Sequence, residues 1–351
     1  MGNPTLYIVR GGLEVHTIRK VLTVLFVVFV LALEVGCGGG AKVVQTNSWT
    51  NTGGSVGHGK NNGIDSLAYD STHNLLYAGT RTNGVWKYDG TNWTNTGGGV
   101  SSYDIDSLAY DPTHGVLYAG AWKNGVWKYD GTTWTDTTSG GVSGTIGRSL
   151  ACDSGHSVLY SGTDGEGVWK YNGTNWTNTS GGVSTYDIPA LAYDSGHNVL
   201  YVGTDPPSGV WKYDGKTWTD TGGGVSNYFI VSLAYDSGHN ALYGVGTNSN
   251  GVWKYNGKKW TNTGRAASSL AYDSGHKVLY GGTGGIGVWK YDGTNWTNTG
   301  GAVSSYGIGP LVYDSGHNVL YAGCYVSSST GNTGKGVWKY AINVVSPKVA
   351  H

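Results

Sequence analysis

The sequence predicts an all-β fold, a seven-bladed β-propeller of four-stranded antiparallel blades. The segment GVWKY recurs seven times, with its Gly at positions 84, 125, 167, 209, 251, 287 and 336. Three further landmarks recur seven times in the same order: a Leu-centred segment such as Ser66-Leu67-Ala68-Tyr69-Asp70, a Leu-Tyr segment such as Leu76-Tyr77-Ala78-Gly79-Thr80, and a Trp-Thr pair such as Trp93-Thr94. Between them lie Gly, Asp, Asn and Thr, which favour turns and strands over helices. A period near 42 residues with four short strands is the signature of a propeller blade, whereas a helical solenoid would need stretches of 3.6-residue periodicity.

Each unit yields its strands in order. Strand a is the SLAYD segment, strand b is LYAGT, strand c is GVWKY and strand d is NWT. Strands b and c are apolar or aromatic on both faces, as expected where blades pack on blades. The repeated aromatics, Tyr69, Tyr77, Trp86, Tyr88 and Trp93 in the first unit, are therefore read as packing residues. Fourteen of the 15 Trp belong to the repeats, which leaves Trp122 as the only singular one. The repeats begin with a strand d (Trp49-Thr50) and end with a strand c (Tyr340), so the N-terminal strand is expected to complete the last blade and remove exposed edges. The domains follow: residues 1–37 a signal peptide, 38–48 a Gly-rich linker, 49–340 the propeller, 341–351 a tail.

Two turns repeat. The a-to-b turn reads Asp-Ser-Gly-His in five copies, with His at 73, 114, 156, 197, 239, 276 and 317. One Asp and one His per blade cannot supply the convergent ligands that zinc requires, so no metal is expected. The Asp is expected to accept turn amides, with the Gly supplying a positive φ. The c-to-d turn, Asp89-Gly90-Thr91-Asn92 and its copies, is read the same way.

Function is sought where the copies differ. The b-to-c and d-to-a loops share one end of an up-and-down blade, and they carry the singular residues. The candidate ligand-binding set is Arg81, Tyr103, Trp122, Lys123, Arg148, Glu166, Tyr186, Tyr228, Phe229, Arg265, Tyr306 and Tyr325, with His58 and Lys60 in the same loops. The long Tyr325-to-Lys335 stretch is read as the last b-to-c loop.

At the N-terminus, Arg19 and Lys20 precede thirteen uncharged residues, Val21 to Leu33, too few for an ordinary membrane span and suited to an export signal. Val35-Gly36-Cys37-Gly38 resembles the lipobox of bacterial lipoproteins, with Glu34 where that motif prefers an apolar residue. The resemblance implies lipidation at Cys37 and a lipid-anchored protein at the periplasmic or outer surface; plain secretion is the alternative. Cys152 and Cys324 sit in distant blades and are expected to be free, buried thiols.

The IDSLAYD and LYAGTRTNGVWKYDGTNWT segments resemble the repeats of the two-component-regulator propeller family and, more distantly, the sialidase-type Asp-box propellers. The Asp89-to-Trp93 spacing is shorter than in an Asp-box, so the resemblance implies the fold and not a glycosidase. Regulator propellers of this kind are sensor modules joined to a membrane helix and a kinase. No such parts are read in this sequence, so signalling would have to pass through another protein.

Charged residues make up 13% of the chain, with 22 Lys and Arg against 22 Asp and Glu, so no global field draws nucleic acid. The carboxylate pairs Asp104/Asp106 and Asp164/Glu166 come without a GxSxG or HExxH motif, and neither an enzyme nor a cofactor is expected. The expectation is a binding or adaptor propeller, monomeric, that recognises a protein or envelope component through its variable face. Two alternatives stay open: a multivalent lectin built on Tyr103, Tyr186, Tyr228 and Tyr306 that binds polysaccharide, and, more remotely, a glycan-active hydrolase or lyase.

Overall fold

The computed structural model describes residues 47–60, 62–138, 146–247, 251–327 and 333–342. The residues read as an export signal, Cys37, Asn248-Ser249-Asn250, the middle of the last b-to-c loop and residues 343–351 lie outside the described residues, whereas Ala341, assigned from the sequence to the tail, ends a strand.

The described chain forms seven antiparallel sheets, each with its strands in the order a-b-c-d. In blade 1 these are Ile64–Asp70, Leu75–Thr80, Val85–Tyr88 and Trp93–Asn95. Blades 2 to 6 span 105–136, 146–178, 190–220, 230–262 and 269–298. Blade 7 takes strands a to c from Gly307–Asp314, Val319–Val326 and Thr333–Ala341. Its fourth strand is Trp49–Asn51, with Trp49 opposite Tyr340 and Asn51 opposite Trp338. A fifth short strand, His58–Lys60, continues along the same neighbour with His58 opposite Lys335. His58 and Lys60, placed in a loop from the sequence, are thus strand residues: the closing edge comes in two pieces, separated by an excursion that buries Val56.

Strand b is buried on both faces, and in strand c the outer residues are buried while Trp and Lys are half-exposed, as in the BiiB pattern of Val85–Tyr88. Core clusters form between neighbouring blades. Tyr77 of blade 1, for example, meets Tyr129 of blade 2 edge-on at 6.4 Å. A polar girdle ties the outer strands together. Trp93 Nε1 donates to Thr52 Oγ1, and Trp134, Trp176, Trp260 and Trp296 donate to Thr96, Thr137, Thr221 and Thr263. Trp49 closes the circuit by donating to Thr299 Oγ1 at 3.0 Å. Each Thr hydroxyl in turn donates to a strand-c Val carbonyl, as Thr299 does to Val288. Of the seven strand-d Trp, Trp218 alone lacks its Thr partner among the described residues.

The turns behave as caps. Asp70 Oδ1 accepts the amides of Thr72 and His73, and Oδ2 meets His73 Nδ1 at 2.8 Å; the Asp–His pair recurs in all seven blades. The positive φ is not on the Gly of Asp-Ser-Gly-His, contrary to the sequence expectation. It falls on the residue after His, as at Asn74 (58°), Asn198 (55°) and Asn318 (56°), where Asn tolerates the left-handed region. One glycine position is dictated by a neighbour. Gly84 has φ +64°, and a Cβ there would lie 2.2 Å from the Val100 carbonyl oxygen of the adjoining loop.

Candidate functional site

The seven inner strands bring one sequence position to the central channel: Asp65, Asp106, Arg148, Pro189, Val231, Ser268 and Gly309 all line cavities there, of about 380 and 200 Å3. Backbone geometry produces this placement. In blades 1, 2 and 5 the pairing of strands a and b slips across Asp65, Asp106 and Val231, and in blade 3 across Gly147-Arg148. A bulge of this kind leaves its extra residue unpaired and re-aims the side chain. Arg148 is thus a strand residue and not, as read from sequence, a loop residue. Tyr325 likewise belongs to strand b of blade 7, because strands b and c there extend toward each other; its ring lines the larger cavity.

Charge is uneven around this mouth. Blades 1 to 4 contribute Asp65, Asp104, Asp106, Asp164, Asp187 and Asp205, against Arg81 and Arg148. Arg81 makes a two-pronged contact with Asp65, at 2.8 and 3.1 Å. Arg148 reaches Asp164 at 2.6 Å and Asp187 at 3.7 Å, and its guanidinium lies 5.7 Å from the Phe229 ring centroid. One side chain therefore joins blades 3, 4 and 5. Burial and the neighbouring Asp104 and Asp65 raise the Asp106 carboxyl to about 7. Asp104 is raised by burial and by Asp65, and its Oδ1 is buried without a partner. Asp187 is raised by burial and by Asp164.

Beside this cluster stands Trp122, 42% exposed, with Lys123 Nζ 5.6 Å from its ring centroid. Its amide donates to the Asp104 carbonyl, and a recess of about 60 Å3 between Trp122, Lys123, Asp106, Arg148 and Asp164 opens next to it. Glu166 is half-buried in the neighbouring loop, its amide bonded to Thr163 Oγ1. The structure thus brings together Arg81, Trp122, Lys123, Arg148 and Phe229. Asp65 and Asp187 join them without having been singled out from the sequence.

Tyr103, Tyr186, Tyr228 and Tyr306 are placed differently. Each is half-buried in a d-to-a loop, and three pack tilted or edge-on against the strand-c Trp of the blade they lead into: Tyr103 against Trp127, Tyr228 against Trp253 and Tyr306 against Trp338. Tyr186 packs in one cluster with Trp211. Their loops carry a repeated buried Val, at 100, 183, 225 and 303, so these loops are scaffold rather than drift. In blade 6 the loop is five residues shorter, and Arg265 takes the Tyr place, 3.2 Å over the Trp289 ring centroid.

Among the described residues no group of His, Cys, Asp or Glu is placed to hold a metal ion. Cys152 and Cys324 are both free. Cys324 is buried, whereas Cys152 is only half-buried, because strand a leaves the side it shares with Tyr69 and Tyr193 partly open. Among the described residues no helix is long and apolar enough to cross a membrane.

No protein-family model matches the sequence, and no curated protein matches it. Solved structures similar in fold include the WD40 repeats of RRP9, with a TM-score of 0.67 and 12% identity over 85% of this chain and 99% of that one. The structure of U3-55K is similar at a TM-score of 0.65 and 12% identity, over 84% of this chain and 98% of the other. The extracellular domain of the putative one component system BT4673 from B. thetaiotaomicron is similar at 0.66 and 18%, over 86% of this chain but 41% of that one. These likenesses show the propeller fold.

Proposed function

We propose that the protein is a non-enzymatic, exported binding propeller, held at the cell envelope through Cys37, that docks a protein partner at the channel mouth of blades 1 to 4. One observation carries this reading: Arg81, Trp122, Lys123, Arg148 and six aspartates converge at one end of the ring, while the other end presents seven near-identical capped turns. The mouth offers what a protein interface uses, an exposed Trp beside arginines and a charged rim. The propeller neighbours, WD40 repeats and a sensor extracellular domain, are consistent with a protein partner. The sensor-domain neighbour and the Arg19-to-Cys37 pattern support export.

The lectin alternative needs several equivalent exposed aromatics. The four tyrosines it would use are half-buried and spent on packing within the ring. For catalysis, three of the six aspartates at the mouth, Asp65, Asp164 and Asp187, are tied to Arg81 and Arg148.

The test is capture from the native envelope by in situ cross-linking, with stoichiometry measured by calorimetry on the recovered partner. A one-to-one complex that weakens at least tenfold in Trp122→Ala and Arg148→Ala is expected. Several equivalent weak glycan sites per chain, untouched by those substitutions, would replace this reading with the lectin.

A further inference from the structure

Blade 6 differs from the others in a way the mouth does not use. Its d-to-a loop lacks the turn that carries a buried Val in the loops with Val100, Val183, Val225 and Val303, and an open cleft of about 630 Å3 lies between that loop and Thr283–Ile286. Small residues, Gly264, Ala266, Gly284 and Gly285, form its walls, and a Cβ added at either Gly284 or Gly285 would meet nothing within 4 Å. Ile286 projects at 51% exposure, the most exposed large hydrophobic side chain among the described residues. Among the described residues no carboxylate lines the cleft.

Arg265 supplies the polar end. Arg81 and Arg148 are both ion-paired, whereas Arg265 has no carboxylate and no side-chain hydrogen bond among the described residues. The Trp289 ring, 3.2 Å from the guanidinium carbon, holds this group in place, and among the described residues its N–H fork is unused. Such a fork matches a carboxylate through two parallel hydrogen bonds, and pre-ordering by the ring lowers the entropy lost on pairing.

We propose that this cleft binds the free C-terminal carboxylate of a partner protein whose last residue is aliphatic. A peptide terminus carries its last side chain on the carbon next to the carboxylate, so one group can pair with Arg265 while the other lies on Ile286, and the small walls admit the main chain. A sugar acid offers the carboxylate but surrounds it with hydroxyls and brings nothing apolar to Ile286. The proposal rests on the protein-binding reading above and adds a second contact remote from Trp122.

The test uses the full chain carrying labelled isoleucine δ1 methyl groups, with Ile286→Val to assign the Ile286 signal. It is titrated separately with acetyl-Gly-Ala-Leu as the free acid, with the same peptide as its carboxamide, and with glucuronate. The free acid is expected to shift Ile286 saturably, and the carboxamide and glucuronate to bind at least tenfold more weakly. Arg265→Gln, with Ile105 and Ile188 signals unchanged as proof of folding, should lose at least tenfold and Arg265→Lys less. Absence of a shift, equal binding of acid and carboxamide, equal binding of glucuronate, or unaltered affinity in Arg265→Gln would each overturn the proposal. Were it overturned while envelope capture still depended on Trp122 and Arg148, the mouth reading would stand; loss of both would remove the adaptor function itself.

Discussion

Ring closure rests on a strand joined to its partner by no turn, and Trp49→Ala tests how much that strand holds. Trp49 is 5% exposed, stacks on Tyr340 at 5.1 Å and donates to Thr299 Oγ1. Truncating a buried Trp to Ala costs about 3–5 kcal/mol. The lost hydrogen bond sits at the low end of its usual range, because Thr299 still donates to Val288 and is not orphaned. A loss of about 4 kcal/mol is expected, and it should be local at first, since Trp49–Asn51 can detach without unravelling the other blades. Hydrogen exchange followed by mass spectrometry reads this directly. Amides of Thr333–Ala341 should exchange up to about a thousandfold faster, at about 1.4 kcal/mol per tenfold, while blades 2 to 5 change much less. Trp93→Ala, the same position within a turn-linked strand, is the control. A loss below about 1 kcal/mol, or equal acceleration in all seven blades, would refute the reasoning.

Three further outcomes follow from the geometry. Gly84→Ala drives a Cβ into the Val100 carbonyl at a positive φ and should lower stability by at least about 2 kcal/mol, whereas Gly90→Ala, at φ +95° with nothing within 4 Å, should show only the backbone strain of about 1 kcal/mol; urea midpoints separate them. Asp106 binds its proton more tightly folded than unfolded, so stability should fall as pH rises from about 4 to about 7, and Asp106→Asn should shallow that slope, leaving the part that the raised Asp104 and Asp187 contribute; carboxyl NMR together with denaturation across this window checks it. Asp273 is fully buried and holds the His276 amide and ring, so Asp273→Ala should cost about 2 kcal/mol and Asp273→Asn, which keeps an acceptor for the amide, less than half of that in thermal or urea unfolding.

The blades were legible because the repeat restates each strand seven times, and the Trp count left nothing unassigned except Trp122. The channel lining was not. Reading variation only in loops passed over the strand-a position occupied by Asp65, Asp106, Arg148, Pro189, Val231, Ser268 and Gly309. Its six residue types over seven copies were visible in aligned repeats, but nothing in the residue types announces a bulge that turns that position into the channel. The tyrosines erred in the opposite sense. Tyr103, Tyr228 and Tyr306 sit in loops of mixed sequence, yet the neighbouring Val and the distant strand-c Trp make them packing residues, and that depends on inter-blade geometry no local pattern encodes. The last b-to-c loop was misjudged at its ends because Tyr325 pairs with Gly334, and Val326 with Thr333, as strand across it.

The Trp-to-Thr girdle has a polarity: every blade except blade 4 gives an indole proton to the blade before it. Such a head-to-tail contact has no built-in stop, and only the return of Trp49 to blade 7 makes it finite. If one chain lends Trp49–Asn51 to the open blade 7 of a second, the second is left with a strand to lend in turn, and strand exchange between copies propagates as a filament. Concentrated protein refolding from denaturant is where rings and such chains of rings would compete.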